Sequence, residues 1–119
     1  MFRLRKIVST ALLTAGIFLS GCHSAYINAT VSNHGTTAIS VVQVEYPSAS
    51  FGTQTLAPGQ DFHYRFKILG SGLMKITYTD TAGADHKATG PELKEGNEGS
   101  LSIVVTGANV RWQPALVAK

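Results

Sequence analysis

Alternation of apolar and polar residues with a period of two runs through most of this chain and limits its fold more than any other feature. Ala25, Ile27, Ala29 and Val31 alternate with Tyr26, Asn28, Thr30 and Ser32. Phe62, Tyr64, Phe66 and Ile68 alternate with Asp61, His63, Arg65 and Lys67. Met74, Ile76 and Tyr78 form a third row, and Leu101, Ile103 and Val105 a fourth. Successive side chains of a strand point to opposite faces, so each run reads as a half-buried strand. No helical i, i+3, i+4 pattern lasts ten residues beyond the first two dozen positions.

Turn chemistry separates these runs. Asn33-His34-Gly35-Thr36 tolerates positive φ. Ala57-Pro58-Gly59-Gln60 places Pro and Gly where a type II turn needs them. Gly70-Ser71-Gly72, Asp80-Thr81-Ala82-Gly83 and Gly107-Ala108-Asn109 are further turns. Residues 37–46 are apolar on both faces, with Val42, Val44 and Tyr46 on one and Ile39 and Val41 on the other. Such a strand is central and covered on each side, or bent by a bulge. Pro47 ends it. Residues 48–56 form an edge strand or a crossing between sheets, anchored by Phe51 and Leu56. The four apolar side chains of 62–68 all point inward, a burial of roughly 6–12 kcal/mol before entropy. Residues 85–89 are a short polar edge strand. Residues 90–99 are a loop from which Leu93 tucks inward. Val110-Arg111-Trp112 is the last strand, stopped by Pro114.

Seven or eight strands at 8–12-residue spacing predict an all-β antiparallel sandwich, with a small closed barrel as the alternative. The series Val31-x-Asn33-x-Gly35, a hydrophobic strand, then Leu56-Ala57-Pro58-Gly59, is similar to immunoglobulin-like accessory domains of bacterial envelope proteins. That resemblance implies an immunoglobulin-like β-sandwich over 25–119. The Cys…Trp…Cys spacing of antibody domains is absent.

The first two dozen residues are of another kind. Arg3, Arg5 and Lys6 precede an apolar run over 7–19, softened by Ser9, Thr10 and Thr14. A helix of that length spans about 20 Å, short of the roughly 30 Å hydrocarbon core. A basic start and a short apolar run resemble a secretory signal peptide. The run closes on Leu19-Ser20-Gly21-Cys22, which resembles the lipobox of bacterial lipoprotein precursors. The resemblance implies a helical signal peptide over 1–21, cleavage between Gly21 and Cys22, and a diacylglyceryl thioether on Cys22. Cys22 is the only cysteine, so an exported chain offers it no disulfide partner. Residues 22–24 are then the lipidated Cys and a short tether. Among Gram-negative lipoproteins, His23 rather than Asp after the Cys implies the outer membrane, facing the periplasm. In another envelope the implied place is the cell membrane.

Charge narrows the partners. The formal net charge is +3, with ten Lys+Arg against seven Asp+Glu. Arg3, Arg5 and Lys6 carry that excess, and the remainder balances. No basic cluster for nucleic acid is present.

Catalytic and metal chemistry find few footholds. His34, His63 and His86 lie in three separate segments without metal-ligand spacing, and Arg65 stands beside His63. Glu92, Glu95, Glu98 and Asn97 are oxygen-rich, but Lys94 sits among them and no EF-hand pattern appears. No Ser occupies G-x-S-x-G. No glycine-rich loop opens a helix to cradle phosphate. The expectation is therefore no enzyme, no metal and no cofactor. Tyr46, Phe51 and Trp112, at strand ends or on weaker strands, cap the core or form a partner surface. Edge strands are a second surface, to which a partner can add a strand. The expected role is a lipid-anchored, non-catalytic structural or binding accessory of the envelope, with an unidentified envelope protein as partner. An inhibitor or chaperone of an envelope enzyme, working through the loop at 90–99, is the alternative. A small hydrolase or ligand carrier is a third and needs a concave site.

Overall fold

A computed structural model describes residues 24–118. They form eight strands: β1 Ile27–Asn33, β2 Ile39–Tyr46, β3 Ala49–Leu56, β4 Asp61–Phe66, β5 Gly72–Thr79, β6 Asp85–Leu93, β7 Asn97–Thr106 and β8 Asn109–Ala118. Two four-stranded sheets, ordered β4-β1-β7-β8 and β3-β2-β5-β6, pack face to face as a sandwich. The signal peptide expected over 1–21, with the expected cleavage and lipidation at Gly21 and Cys22, falls outside the described residues.

The core is built from the alternating rows. Ala25, Ile27, Ala29 and Val31 are buried, as are Met74, Ile76 and Tyr78, and Leu101, Ile103 and Val105. Both sheets thus contribute inward rows to one cluster. Leu93 is buried as well.

Several elements depart from the sequence reading. One pairing is parallel: Ile27 faces Gly99 and Val31 faces Ile103 along β1 and β7. The chain reaches β7 from the opposite sheet, so no hairpin forces the antiparallel direction. β2 resolves its two-sided character by a bulge: its register on β5 slips between Ser40 and Gln43. Val41 there has a φ of +49°. Ile39, Val42 and Val44 consequently all point inward, and Val41 is expelled to solvent. Residues 90–93 belong to β6, not to a loop, because Gly90 and Pro91 form a bulge opposite Met74. Residues 97–99 open β7. Pro114 does not stop β8, which continues to Ala118. β8 is an edge strand, where Pro can turn its missing N–H toward solvent. β4 buries only Phe66 of its apolar row, with Ile68 buried just beyond it; Phe62 is half-buried and Tyr64 partly exposed. β4 is an edge too, so the 6–12 kcal/mol expectation was too large.

The strand directions give the sandwich two ends. At the proximal end the chain enters at Ser24, and the β2–β3, β4–β5 and β6–β7 connections gather. At the distal end lie 34–38 and the turns at 57–60, 80–84 and 107–108. The turn at 57–60 has the expected bond, Gln60 N–H to the Ala57 carbonyl at 3.0 Å, with Gly59 at a φ of +80°.

Candidate functional site: an uncharged sheet edge

A four-stranded sheet has two edges, so this sandwich has four: β3, β4, β6 and β8. Exposed edges invite pairing with other chains, and proteins blunt them with charge, proline or bulges. β4 carries Asp61 and Arg65. β6 carries Asp85, Lys87, Pro91 and Glu92. β8 carries Arg111 and Pro114. β3, with the sequence Ala-Ser-Phe-Gly-Thr-Gln-Thr-Leu, has neither charge nor proline. Its single ladder neighbour is β2, matched from Ile39 opposite Leu56 to Tyr46 opposite Ala49.

An aromatic row flanks that edge. Phe51 of β3 stacks on Tyr64 of β4, with centroids 4.5 Å apart and planes 14° apart. Tyr46 stacks on Phe66 at 4.1 Å. Phe51 also approaches Phe62 and Phe66. These rings close the gap between the two sheets where β3 and β4 carry no ladder bonds. Phe51 is buried, whereas Tyr64 is 40% exposed and offers an apolar face beside β3. Burial pushes the Tyr46 hydroxyl above its ordinary pKa, and neighbouring Tyr64 adds to this.

The outer face of β2 and β3 is also shaped. A shallow depression of about 390 Å³ is lined by Val41, Gln43, Gly52, Thr53 and Gln54, among others. A Cβ on Gly52 would run into the Val42 carbonyl oxygen, so the bulge and the glycine require each other. Val41, 60% exposed and in a left-handed conformation, is strained for a β-branched residue. Such strain persists only where surrounding structure holds it. An extended segment added to β3 would find backbone partners along the edge, a ring face at Tyr64 and a depression beside Val41.

The expected partner residues do not form one surface. Tyr46 and Phe51 are 6.1 Å apart at the β3–β4 side. Trp112 lies at the opposite side, where β6 meets β8. Its ring covers Gly90 so closely that a Cβ there would stand 2.6–2.7 Å from three ring atoms. Trp112 thus seals the second open side of the sandwich.

The polar residues are also distributed. His63 shares a 3.0 Å hydrogen bond with Thr30 on the outer face of the first sheet. His86 lies 2.8 Å from the Asp80 carboxylate and stacks on Tyr78 at the distal end. The Asp80 carboxyl is held below its usual range, first by the His86 hydrogen bond and then by the Ala84 amide; desolvation opposes this, and the Ala82 amide adds a smaller lowering. Burial raises the Tyr78 hydroxyl, and Asp80 adds to the effect. Glu95 accepts the Gly70 N–H at 2.6 Å, and Asn97 accepts the Lys94 N–H at 2.8 Å. Among the described residues no three His, Cys, Asp or Glu side chains gather to hold a metal.

Sequence reasoning passed over two residues of consequence. The sequence marks Asn33 only as a turn former. It is buried, donates from Nδ2 to the Thr37 and Leu56 carbonyls at 2.9 Å each, and accepts the Gly35 N–H at 2.9 Å. An Asn between a strand and Gly35 was the available signal. Strict alternation assigns Tyr64 to the core, and nothing local marks it as the exposed member of its row.

No protein-family model matches this chain, and no curated protein matches it. Among solved structures it is similar to the NMR structure of a protein from Eubacterium rectale. That likeness has a TM-score of 0.56 at 13% identity and covers 78% of this chain and 89% of the other. At this identity it speaks to the fold alone.

Proposed function

We propose that this protein is a lipid-anchored accessory of a bacterial envelope that captures an extended segment of a partner protein along β3. The observation that carries the binding role is the contrast among the four edges: β3 alone lacks charge and proline, and an open ring face and a depression stand beside it. The anchor rests on Leu19-Ser20-Gly21-Cys22; in a Gram-negative envelope His23 after the Cys favours the outer membrane, and in another envelope the location is the cell membrane. An immunoglobulin-like assignment of the sandwich is supported by the sheet β3-β2-β5-β6, two hairpins joined through β2 and β5. Variable-type domains extend their sheet with an extra hairpin strand in the same way. No step of catalysis is part of this reading.

Photo-crosslinkers placed at Thr53 and Gln54 of the full-length chain in cells test the binding role. One partner captured from both positions, and lost when Thr53→Lys and Thr55→Pro are introduced, is the expected result. Equal capture from Lys87 on β6 would overturn the choice of edge. Labelled palmitate tests the anchor: incorporation into wild type and none into Cys22→Ala is expected, and equal labelling would overturn it.

A further inference from the structure

Of the six large hydrophobic side chains exposed on the described surface, four stand at the proximal end. They are Leu69 at 65%, Val117 at 63%, Leu73 at 53%, and Tyr26. Leu69 sits in the β4–β5 connection. Tyr26 immediately precedes β1, and its neighbour Ile27 faces Gly99 of β7. Val117 faces Glu98, the residue before Gly99. Leu73 is the second residue of β5 and points away from the core that Met74 enters. All four therefore lie within three residues, or roughly 10 Å, of a proximal strand end. The distal turns expose no large hydrophobic side chain. An apolar rim confined to one end is not what scattered surface residues look like.

The chain enters at this same end. Ser24 and Ala25 border Leu69 and Lys67. Cys22 is two residues before Ser24, so a fully extended backbone sets them at most about 7 Å apart. We infer that the rim of Leu69, Leu73, Val117 and Tyr26 inserts into the interface of the phospholipid bilayer that holds the chain, fixing the sandwich upright with its distal turns outward. The inference rests on the lipid anchor proposed above. Its depth is consistent: interfacial apolar faces settle about 5–10 Å into the boundary between headgroups and acyl chains. Its chemistry is also suitable. Tyr26 is an aromatic of the kind enriched at headgroup level, and the Arg65 guanidinium lies 4.1 Å over its ring. Lys67 and Lys94 are exposed at the same end. Carboxylates stand here too: Glu92, opposite Leu73, and Glu45, next to the end of β2, are exposed, whereas Glu95 is engaged by Gly70 and Glu98 has its own contacts. The orientation leaves β3 running away from the membrane, with its edge accessible from the side.

The test uses the full-length chain, purified from a bacterial membrane and reconstituted in vesicles of phosphatidylethanolamine and phosphatidylglycerol. A polarity-sensitive fluorophore is placed at Leu69→Cys, Val117→Cys or, as the distal control, Ala82→Cys. Palmitate labelling is read on the same samples. A blue shift on reconstitution at 69 and 117, and none at 82, is expected. The double variant Leu69→Ser with Val117→Ser should leave vesicles roughly tenfold faster than wild type. Palmitate-labelled protein whose probes stay equally wet at all three sites would overturn the rim and leave the anchor standing. Protein without palmitate that stays off the vesicles would overturn both.

Discussion

The two ends of the sandwich are built from the same strands but finished in opposite ways. The distal end is closed by side chains bonded to backbone. Asn33 ties 35, 37 and 56 together, and its own backbone exchanges bonds with Gln60 and Gly59 at 3.1 and 2.7 Å. The Tyr78 hydroxyl donates to the Gly107 carbonyl at 2.7 Å, and Asp80 holds its own turn. The proximal end also has side-chain ties to backbone, from Leu69 N–H to Ser48 at 3.3 Å to Gly70 N–H to Glu95 at 2.6 Å, but these are exposed, and this end leaves apolar side chains in water. Polar satisfaction at one end and unsatisfied apolar surface at the other suggest that only the first is finished within the chain itself. The comparison predicts that stability resides distally and that proximal surface is free to serve another purpose.

Asn33→Ala tests that most severely. The substitution leaves two carbonyls and one N–H, partly or wholly buried, without their partner, at a cost of about 2–4 kcal/mol. Urea unfolding of the full-length chain should show the loss as a lower midpoint with an unchanged slope. A loss below about 0.5 kcal/mol would mean that the distal turns hold one another without Asn33.

Tyr78→Phe sharpens the same point with a smaller change. It removes one hydroxyl hydrogen bond and keeps the ring against His86 and the core. A loss of about 1 kcal/mol is expected from thermal unfolding. No loss would show that the 107–108 turn is positioned by its β7–β8 hairpin alone.

Acid should act on the distal end as well. Asp80 has a folded-state pKa below its unfolded value, mainly through the His86 hydrogen bond. Its contribution is therefore present above the unfolded carboxylate pKa of about 3.9 and is lost as pH falls through the lower folded value. The transition midpoint of wild type should drop more steeply below about pH 4 than that of Asp80→Asn. Parallel curves would remove Asp80 from the account of the distal end.

How much of this was legible beforehand depended on whether local sequence or sheet order decided it. The rows at 25–31, 74–78 and 101–105 could be read directly, because strict alternation leaves one face to bury. Residues 39–44 could not be read so simply: Val41 and Val42 are adjacent and chemically identical, and only the bulge against β5 chooses which points inward. Pro114 reads as a stop in a central strand and as tolerable in an edge strand, so its meaning depended on a sheet order set by distant pairings. The same holds for 90–93, where Gly-Pro signals a turn locally but forms a bulge once β5 lies alongside. At the candidate site, Phe51 was recognisable by type. Its partnership with Tyr64 joins strands of different sheets and has no local sequence signature. The lack of charge in β3 was visible from the start, yet it acquired meaning only when three other strands proved to be protected edges.

The mildest substitution probes the proximal end. Leu69→Ser removes a side chain that is 65% exposed and belongs to no buried cluster. In detergent-free buffer its unfolding free energy should differ from wild type by no more than about 0.5 kcal/mol. A cost above about 1 kcal/mol would mean that Leu69 packs against the sandwich, and the contrast between the ends would then fail at its simplest point. A null effect on folding, beside the faster departure from vesicles expected of the Leu69→Ser and Val117→Ser pair, would separate the two uses of apolar surface in one molecule. Inside the sheets it holds the fold, and at the proximal rim it contributes only where a bilayer is present.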